Sequence, residues 1–190
     1  MGKDELVDLV DGHDRRVGEA TIERCLDEGL RHRAVAVLVV RGDGRVIIQV
    51  RSKKDHWQPG RWTLSCTGHV QAGEAYEHAA RRELAEELGL SSPVTFLRKL
   101  FLPKVKSRGS IEWEVVSLYI AMTDAKPSID PVELAGVHLV DSSGLDRLMR
   151  GRRLTPDAKI LLNECRRSTL EPLWCQRIRP EPRPPGRVKR

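Results

Sequence analysis

Runs of apolar and alternating residues assign most of this chain to elements. "ELVDLV" and "RRVGEATI" flank the turn "DGHD" and predict a β-hairpin. "IERCLDEGL" predicts a short helix. "AVAVLVV" and "RVIIQV" are β-branched runs joined by "RGDG", whose Asp43-Gly44 suits a tight hairpin turn. "RSKKDHWQPGR" is a loop punctuated by Pro59-Gly60, and "WTLSCT" predicts one short strand ending at Gly68. A helix should start near Glu74 and stop at a glycine cap, Gly89. "VTFLRKLFLP", "IEWEVVSLYIAM" and "AGVHLVD" predict strands, followed by helices over Ser143–Arg150 and about Pro156–Arg166. There is no internal repeat. Strands outnumber helices and two helices come late, which points to an α+β fold or an α/β sandwich.

The helix from Glu74 carries an electrostatic conflict. At about 100° per residue, one arc holds Ala75, Tyr76, Ala79, Ala80, Leu84 and Leu88, and the opposite arc holds His78, Arg81, Arg82 and Ala85. Glu83, Glu86 and Glu87 fall on the apolar side, where their mutual repulsion grows with burial. Two readings of the residues are open. The glutamates form i,i+4 salt bridges on a charged helix, or they are hard oxygen ligands for a divalent cation such as Mg²⁺.

Composition narrows the class. At 190 residues the chain predicts one domain with a sizeable core. No apolar run reaches the roughly 18 residues of a membrane span, and the polar N-terminus lacks the apolar centre of a signal peptide, so cytoplasmic residence is expected. Cys25, Cys66, Cys165 and Cys175 form no CxxC pair and read as free thiols. The net charge of +6 lies mostly in the tail: Arg177–Arg190 carries +5, leaving +1 for the rest. The proline-rich tail reads as disordered, with residues 1–170 as the domain and 171–190 as a basic extension. It could touch RNA, but a solvated tail is the plainer reading, and nucleic acid is not the expected partner.

The stretch Gly68–Leu90 resembles the Nudix box, G-x5-E-x7-R-E-U-x-E-E-x-G-U with U apolar. Gly68, Glu74, Arg82, Glu83, Leu84, Glu86, Glu87, Gly89 and Leu90 fill every specified position. The resemblance implies a Nudix fold, an α/β/α sandwich with a mixed β-sheet and a catalytic loop–helix–loop. It implies Mg²⁺ or Mn²⁺ held by Glu83, Glu86 and Glu87, oriented by Arg82 and Glu74, with the backbone carbonyl of Thr67 joining the shell. The implied chemistry is attack of water on a small-molecule diphosphate, with metal lowering the pKa of the water and a glutamate taking its proton.

A second resemblance covers about Leu6 to Arg166. "LRHRA", "KKDHWQPGRWTLSCTGHVQAGE" and "IEWE" are similar to the Nudix-fold isopentenyl-diphosphate isomerases. It implies an extra Zn²⁺ or Mn²⁺ site at Cys25, His32, His69, Glu112 and Glu114. Glu112 and Glu114 are spaced to share one face of a strand. Cys25 departs from the histidine of that family and could instead be a buried small hydrophobe. Thr67 stands where those isomerases place a proton-transferring cysteine, and a hydroxyl is far too weak an acid for that role. Cys66, one residue earlier, would point to the other face.

Arg51, Lys53 and Lys54 resemble the diphosphate-gripping residues of the isomerases, though solvated loop charges are an alternative. Trp57 and Trp62 could stack a base, line a prenyl pocket or pack in the core, and Lys104, Lys106 and Arg108 form a basic loop. The intact box and Thr67 together favour hydrolysis of a nucleoside diphosphate linked to another moiety, by a monomer or homodimer. The isopentenyl-diphosphate isomerase is the alternative, and an RNA-binding module without catalysis is the third.

Overall fold

The computed structural model describes residues 4–54, 57–129, 131–132 and 134–178. Its centre is β3 (His32–Val40), in which the apolar run from Ala34 to Val40 is buried on both faces. The strand β10 (Glu114–Met122) lies parallel to it along its whole length, from Glu114 opposite His32 to Met122 opposite Val40. The other edge of β3 is shared. β1 (Leu6–Val10) meets its start at His32, β6 (Cys66–His69) pairs with Ala34–Val37, and β4 (Val46–Arg51) meets it only at Val40. β2 (Arg16–Thr21) continues from β1, β5 (Trp62–Thr63) and β11 (Leu134–Val140) from β4, and β7 (Val94–Phe101) from β10, giving a mixed nine-stranded sheet.

Alternation along β3 sorts the core into two layers. Val35, Val37 and Val39 pack with Ala79, Ala80, Leu84 and Leu88 of α2 (Tyr76–Leu88). Ala34, Ala36, Leu38 and Val40 pack with Leu145 of α3 (Ser142–Arg150) and with Ala158, Leu161 and Leu162 of α4 (Pro156–Cys165). This is the α/β/α arrangement. Helix α1 (Ile22–Glu28) closes a third apolar group, with Cys25 against Val7, Ala20 and Ile22. The β1–β2 hairpin is fastened by Arg33, which reaches Asp8 at 3.0 Å and Asp14 at 2.8 Å.

Three departures from the sequence expectations have local causes. "WTLSCT" is two strands, because the chain crosses at Leu64-Ser65 from β4 to β3. There the Ser65 hydroxyl accepts from Val39 N–H at 2.7 Å and donates to the Ile47 carbonyl at 2.6 Å, bridging strands that have splayed apart. "IEWEVV" is likewise broken at Trp113, between β9 (Ser110–Glu112) and β10, and β9 pairs instead with β8 (Val105–Ser107) in a small separate hairpin. Glu112 and Glu114 therefore lie on two strands, not one. The boundary at residue 170 also falls inside helical structure. A π-helical turn (Arg166–Leu170) leads into α5 (Glu171–Ile178), Trp174 packs on the α4 layer, and its indole N–H donates to the Gly44 carbonyl at 2.9 Å. The rest of the tail lies outside the described residues. Among the described residues, no helix is long and apolar enough to cross a membrane.

Candidate active site

The first group of site residues is local. Helix α2 ends at Gly89 in the left-handed conformation (φ 61°), which caps it one residue after its last apolar contact. Glu83 and Glu87, one turn apart, are buried, whereas Glu86 is exposed; the expectation that all three face inward holds for two. Gly68 of β6 makes room for Glu83, since a Cβ there would stand 2.0 Å from the Glu83 carboxyl carbon. Arg82 ties the group together. It donates to Glu74 at 2.9 and 3.1 Å, to Glu83 at 2.7 Å, to Glu86 at 3.2 Å and to the His69 carbonyl at 3.0 Å. Glu87 accepts from the Gln49 amide at 3.2 Å and from Thr67 N–H at 3.3 Å. Burial pushes the Glu83 carboxyl up to about 7 despite Arg82 beside it.

The second group is assembled across the sheet. His32 opens β3, Glu114 sits opposite it in the parallel register, and His69 lies next to them on the same face, opposite Ala34. Glu112 enters from the β8–β9 hairpin. One ligand atom from each of the four lies within 4.8 Å of all the others. His32 Nδ1 lies 3.0 Å from the Leu30 carbonyl and so carries the proton there. Its Nε2 lone pair then faces Glu112 at 4.0 Å and Glu114 at 3.8 Å, and His69 Nε2 is 3.8 Å from Glu114. His32 Nε2 and His69 Nδ1 are buried without a hydrogen-bond partner among the described residues. Burial holds both imidazoles below their ordinary range and, with Glu112 adjacent, lifts Glu114 well above the carboxylate range. Neutral imidazole and carboxylate converging without a donor between them fit a divalent cation. Cys25 is not in this group. It is wholly buried in the α1 layer, and burial pushes its thiol up to about 11.

One cavity of about 620 Å³ joins the groups. The splay of β3 from β4 opens it through the sheet, so it is walled by the α2 glutamates on one side and by Pro156, Asp157, Ile160 and Leu161 of α4 on the other. Thr67 lines it, while Cys66 points into the α2 layer. Arg51, Lys54 and Trp57 also line it; Lys53 is exposed beside it. Trp62 does not line this cavity. It stacks on His138 (centroids 4.4 Å apart, rings 11° from parallel) in a second depression with Arg45, Arg147, Arg152 and Arg153. Lys104 lies over the Trp113 ring at 4.1 Å, as does Arg31 at 4.0 Å; Lys106 and Arg108 stand outside the cavity. Two wall residues carry no signal that the sequence reading used. Gln49 sits mid-strand, and Asp157 looks like any acid at a helix start.

Paired carboxylates on a helix, an arginine clamp and a glycine-seated glutamate make a site suited to a divalent cation. The NUDIX domain family matches residues 30–160, and the chain belongs to the Nudix family. The "Isopentenyl-diphosphate Delta-isomerase 2" of Photorhabdus laumondii is 33% identical over 132 residues, 70% of this chain and 75% of that protein. The isopentenyl-diphosphate Delta-isomerase of Dinoroseobacter shibae is 36% identical over 85% of this chain and 93% of that protein. Among solved structures, DR0079 from Deinococcus radiodurans aligns with a TM-score of 0.71 at 26% identity over 85% of this chain and 99% of that one. These relatives overturn the expectation of a hydrolase and favour the isomerase alternative. The box builds a metal and carboxylate platform that either reaction can use, so its completeness does not choose between them.

Proposed function

We propose that the chain isomerises isopentenyl diphosphate, or a close five-carbon diphosphate, by moving its double bond. The observation that carries this reading is the His32–His69–Glu112–Glu114 group, of which His69, Glu112 and Glu114 line the same cavity as the α2 glutamates. Hydrolysis needs metal, water and one carboxylate base, all available on α2. A second buried group, set among Ala34, Ala36, Leu102, Val116, Ile160 and Leu161, instead suits proton transfer at a hydrocarbon.

A divalent cation at the four-residue group would fix its carboxylates in place and supply positive charge. Arg51 and Lys54 are placed to grip the diphosphate at the cavity wall. Moving the double bond adds a proton to the terminal methylene carbon and removes one from the second carbon, so no net proton is consumed. Glu114, which lines the cavity beside Glu112, is the group placed to handle the proton at one carbon. Thr67 offers a hydroxyl whose proton is too tightly held to give to carbon unaided, so at the other carbon it serves only to relay the proton to or from the Glu87 carboxylate, which accepts from Thr67 N–H at 3.3 Å. Thr67→Cys is therefore expected to raise the isomerisation rate, by about tenfold or more, measured as initial rates against the unchanged protein.

The test follows isopentenyl diphosphate by proton NMR in D₂O with Mg²⁺ or Mn²⁺ present. Dimethylallyl diphosphate carrying solvent deuterium is the expected product. Release of phosphate or diphosphate without any allylic product would overturn the reading.

A further inference from the structure

Asp157 stands in the second position of α4, in the cavity wall formed with Ile160, Leu161 and Leu102. An acid in the first turn usually faces solvent, where it complements the helix dipole. This one is turned inward. Its Oδ1 is sealed from solvent and has no hydrogen-bond partner among the described residues. The helix does not need it as a cap, because the Thr155 side chain already accepts from Ala158 N–H at 3.3 Å. Burial pushes the pKa of its carboxyl up, with Thr155 and the first helix N–H groups opposing the rise. The charges that reach it across the cavity are Glu114, which repels it, and Arg51, which attracts it.

An unmet buried oxygen destabilises the fold unless something binds it. A purely apolar substrate tail would leave that oxygen unmet in the complex as well. We propose that Asp157 determines specificity, and that the substrate of this chain is a diphosphate whose far end carries a hydrogen-bond donor such as a hydroxyl. The α2 glutamates lie on the opposite wall of the cavity, and a substrate whose diphosphate is held on their side would present to Asp157 its end remote from phosphorus. The terminal torsion of an aspartate is soft, and a small turn of the carboxyl presents Oδ1 to the cavity. The inference rests on the diphosphate reading of the cavity but not on the isomerisation step.

The test is equilibrium binding by calorimetry with Mg²⁺ present. Three ligands share one five-carbon skeleton: isopentenyl diphosphate, its terminally hydroxylated analogue, and the methyl ether of that analogue. The full-length protein should bind the hydroxylated ligand about tenfold or more tightly than the hydrocarbon, with no such gain for the ether, which cannot donate. Asp157→Leu should abolish or reverse that preference, and Asp157→Asn, which keeps an acceptor oxygen, should retain part of it. The melting temperature of Asp157→Leu should hold or rise, since a carboxyl with one unmet oxygen is replaced by an apolar side chain. Equal binding of hydrocarbon and alcohol by the unchanged protein, or an alcohol preference that survives Asp157→Leu, would overturn the proposal. A fall in melting temperature with unchanged preference would mark Asp157 as a structural residue instead. Hydroxyl preference without any double-bond movement would leave Asp157 in this role and defeat the isomerase reading alone.

Discussion

The two walls of the cavity are built by different means. On α2, three glutamates, their arginine and the capping glycine lie within eight residues, so forming the helix is enough to assemble them. Across the sheet, His32, His69, Glu112 and Glu114 come from four strands, and no two share an element. Their meeting depends on register. A one-residue slip of β10 against β3 would send Glu114 to the α2 layer and leave His32 facing a valine. The helical group is also clamped from outside by Arg82, with Glu86 in solvent, whereas the sheet group is largely buried at the cavity and lacks a donor at its centre. The first platform is therefore tolerant of small shifts, and the second is set by the whole fold.

The comparison breaks most visibly in activity. Glu87→Gln keeps the shape of the side chain and its contact with Gln49 but removes a charge from the α2 platform. Turnover should fall by about 100-fold or more, beyond the 10–100-fold typical of losing a partner outside the metal shell, while circular dichroism is unchanged. Full turnover in this variant would show that the sheet group alone carries the chemistry.

Metal affinity separates the walls next. His32→Ala should weaken the tightest site for Mn²⁺ or Zn²⁺ by about 10–100-fold, read by competition with a chelator. Glu87→Gln should leave that tight site unchanged. If both variants weaken it equally, the two groups hold one shared ion and the distinction drawn above fails.

The same contrast explains what could be read from the sequence. Helix α2, its glycine stop, the β1–β2 hairpin and the β3–β4 turn are set by neighbours in the chain, and their patterns declare them. The parallel pairing of β3 with β10 joins residues some eighty positions apart, and nothing local announces its register. His32, His69, Glu112 and Glu114 were nameable only through a family likeness, and the same likeness added Cys25, whose side chain packs in the apolar α1 layer. Trp62 could have stacked a base, lined a prenyl pocket or packed in the core, and the pairing of β5 with β4 directs its ring to His138. Reaction type was hardest to read, since hydrolysis and isomerisation can use the same carboxylate platform.

A smaller effect sharpens the electrostatic side. Burial lifts the Glu83 carboxyl to about 7 in the folded chain, above its ordinary 4.5. The protonated form is thus favoured by folding. Its stabilising contribution is complete below about 4.5 and is lost as pH rises through about 7. Glu83→Gln removes that loss, so the metal-free variant should be more stable than the unchanged protein at pH 8, by about 2–3 kcal/mol, and nearly equal to it at pH 4.5. His32 and His69 titrate with the opposite sign, but they are present in both proteins and cancel in the difference. Urea melts of the chelated proteins across this range give the measurement. A constant difference at every pH would mean that Glu83 is held ionised by Arg82 throughout.

The smallest effect belongs to Cys25, where the sequence expectation and the structure part. Five ligands would make Cys25→Ala as damaging to metal binding as His32→Ala. The structure groups only four, and leaves Cys25 fully buried beside Val7, Ala20 and Ile22. Burial among these apolar side chains pushes its thiol up to about 11. Cys25→Ala should therefore change metal affinity by less than about twofold, since it removes no ligand. Its cost should appear in stability instead, at about 1 kcal/mol, because the lost sulfur leaves a small gap under α1. Chelator competition and thermal melts on one sample read both quantities. A tenfold loss of metal affinity would show that α1 moves to bring the sulfur to the ion, and would place Cys25 back among the ligands.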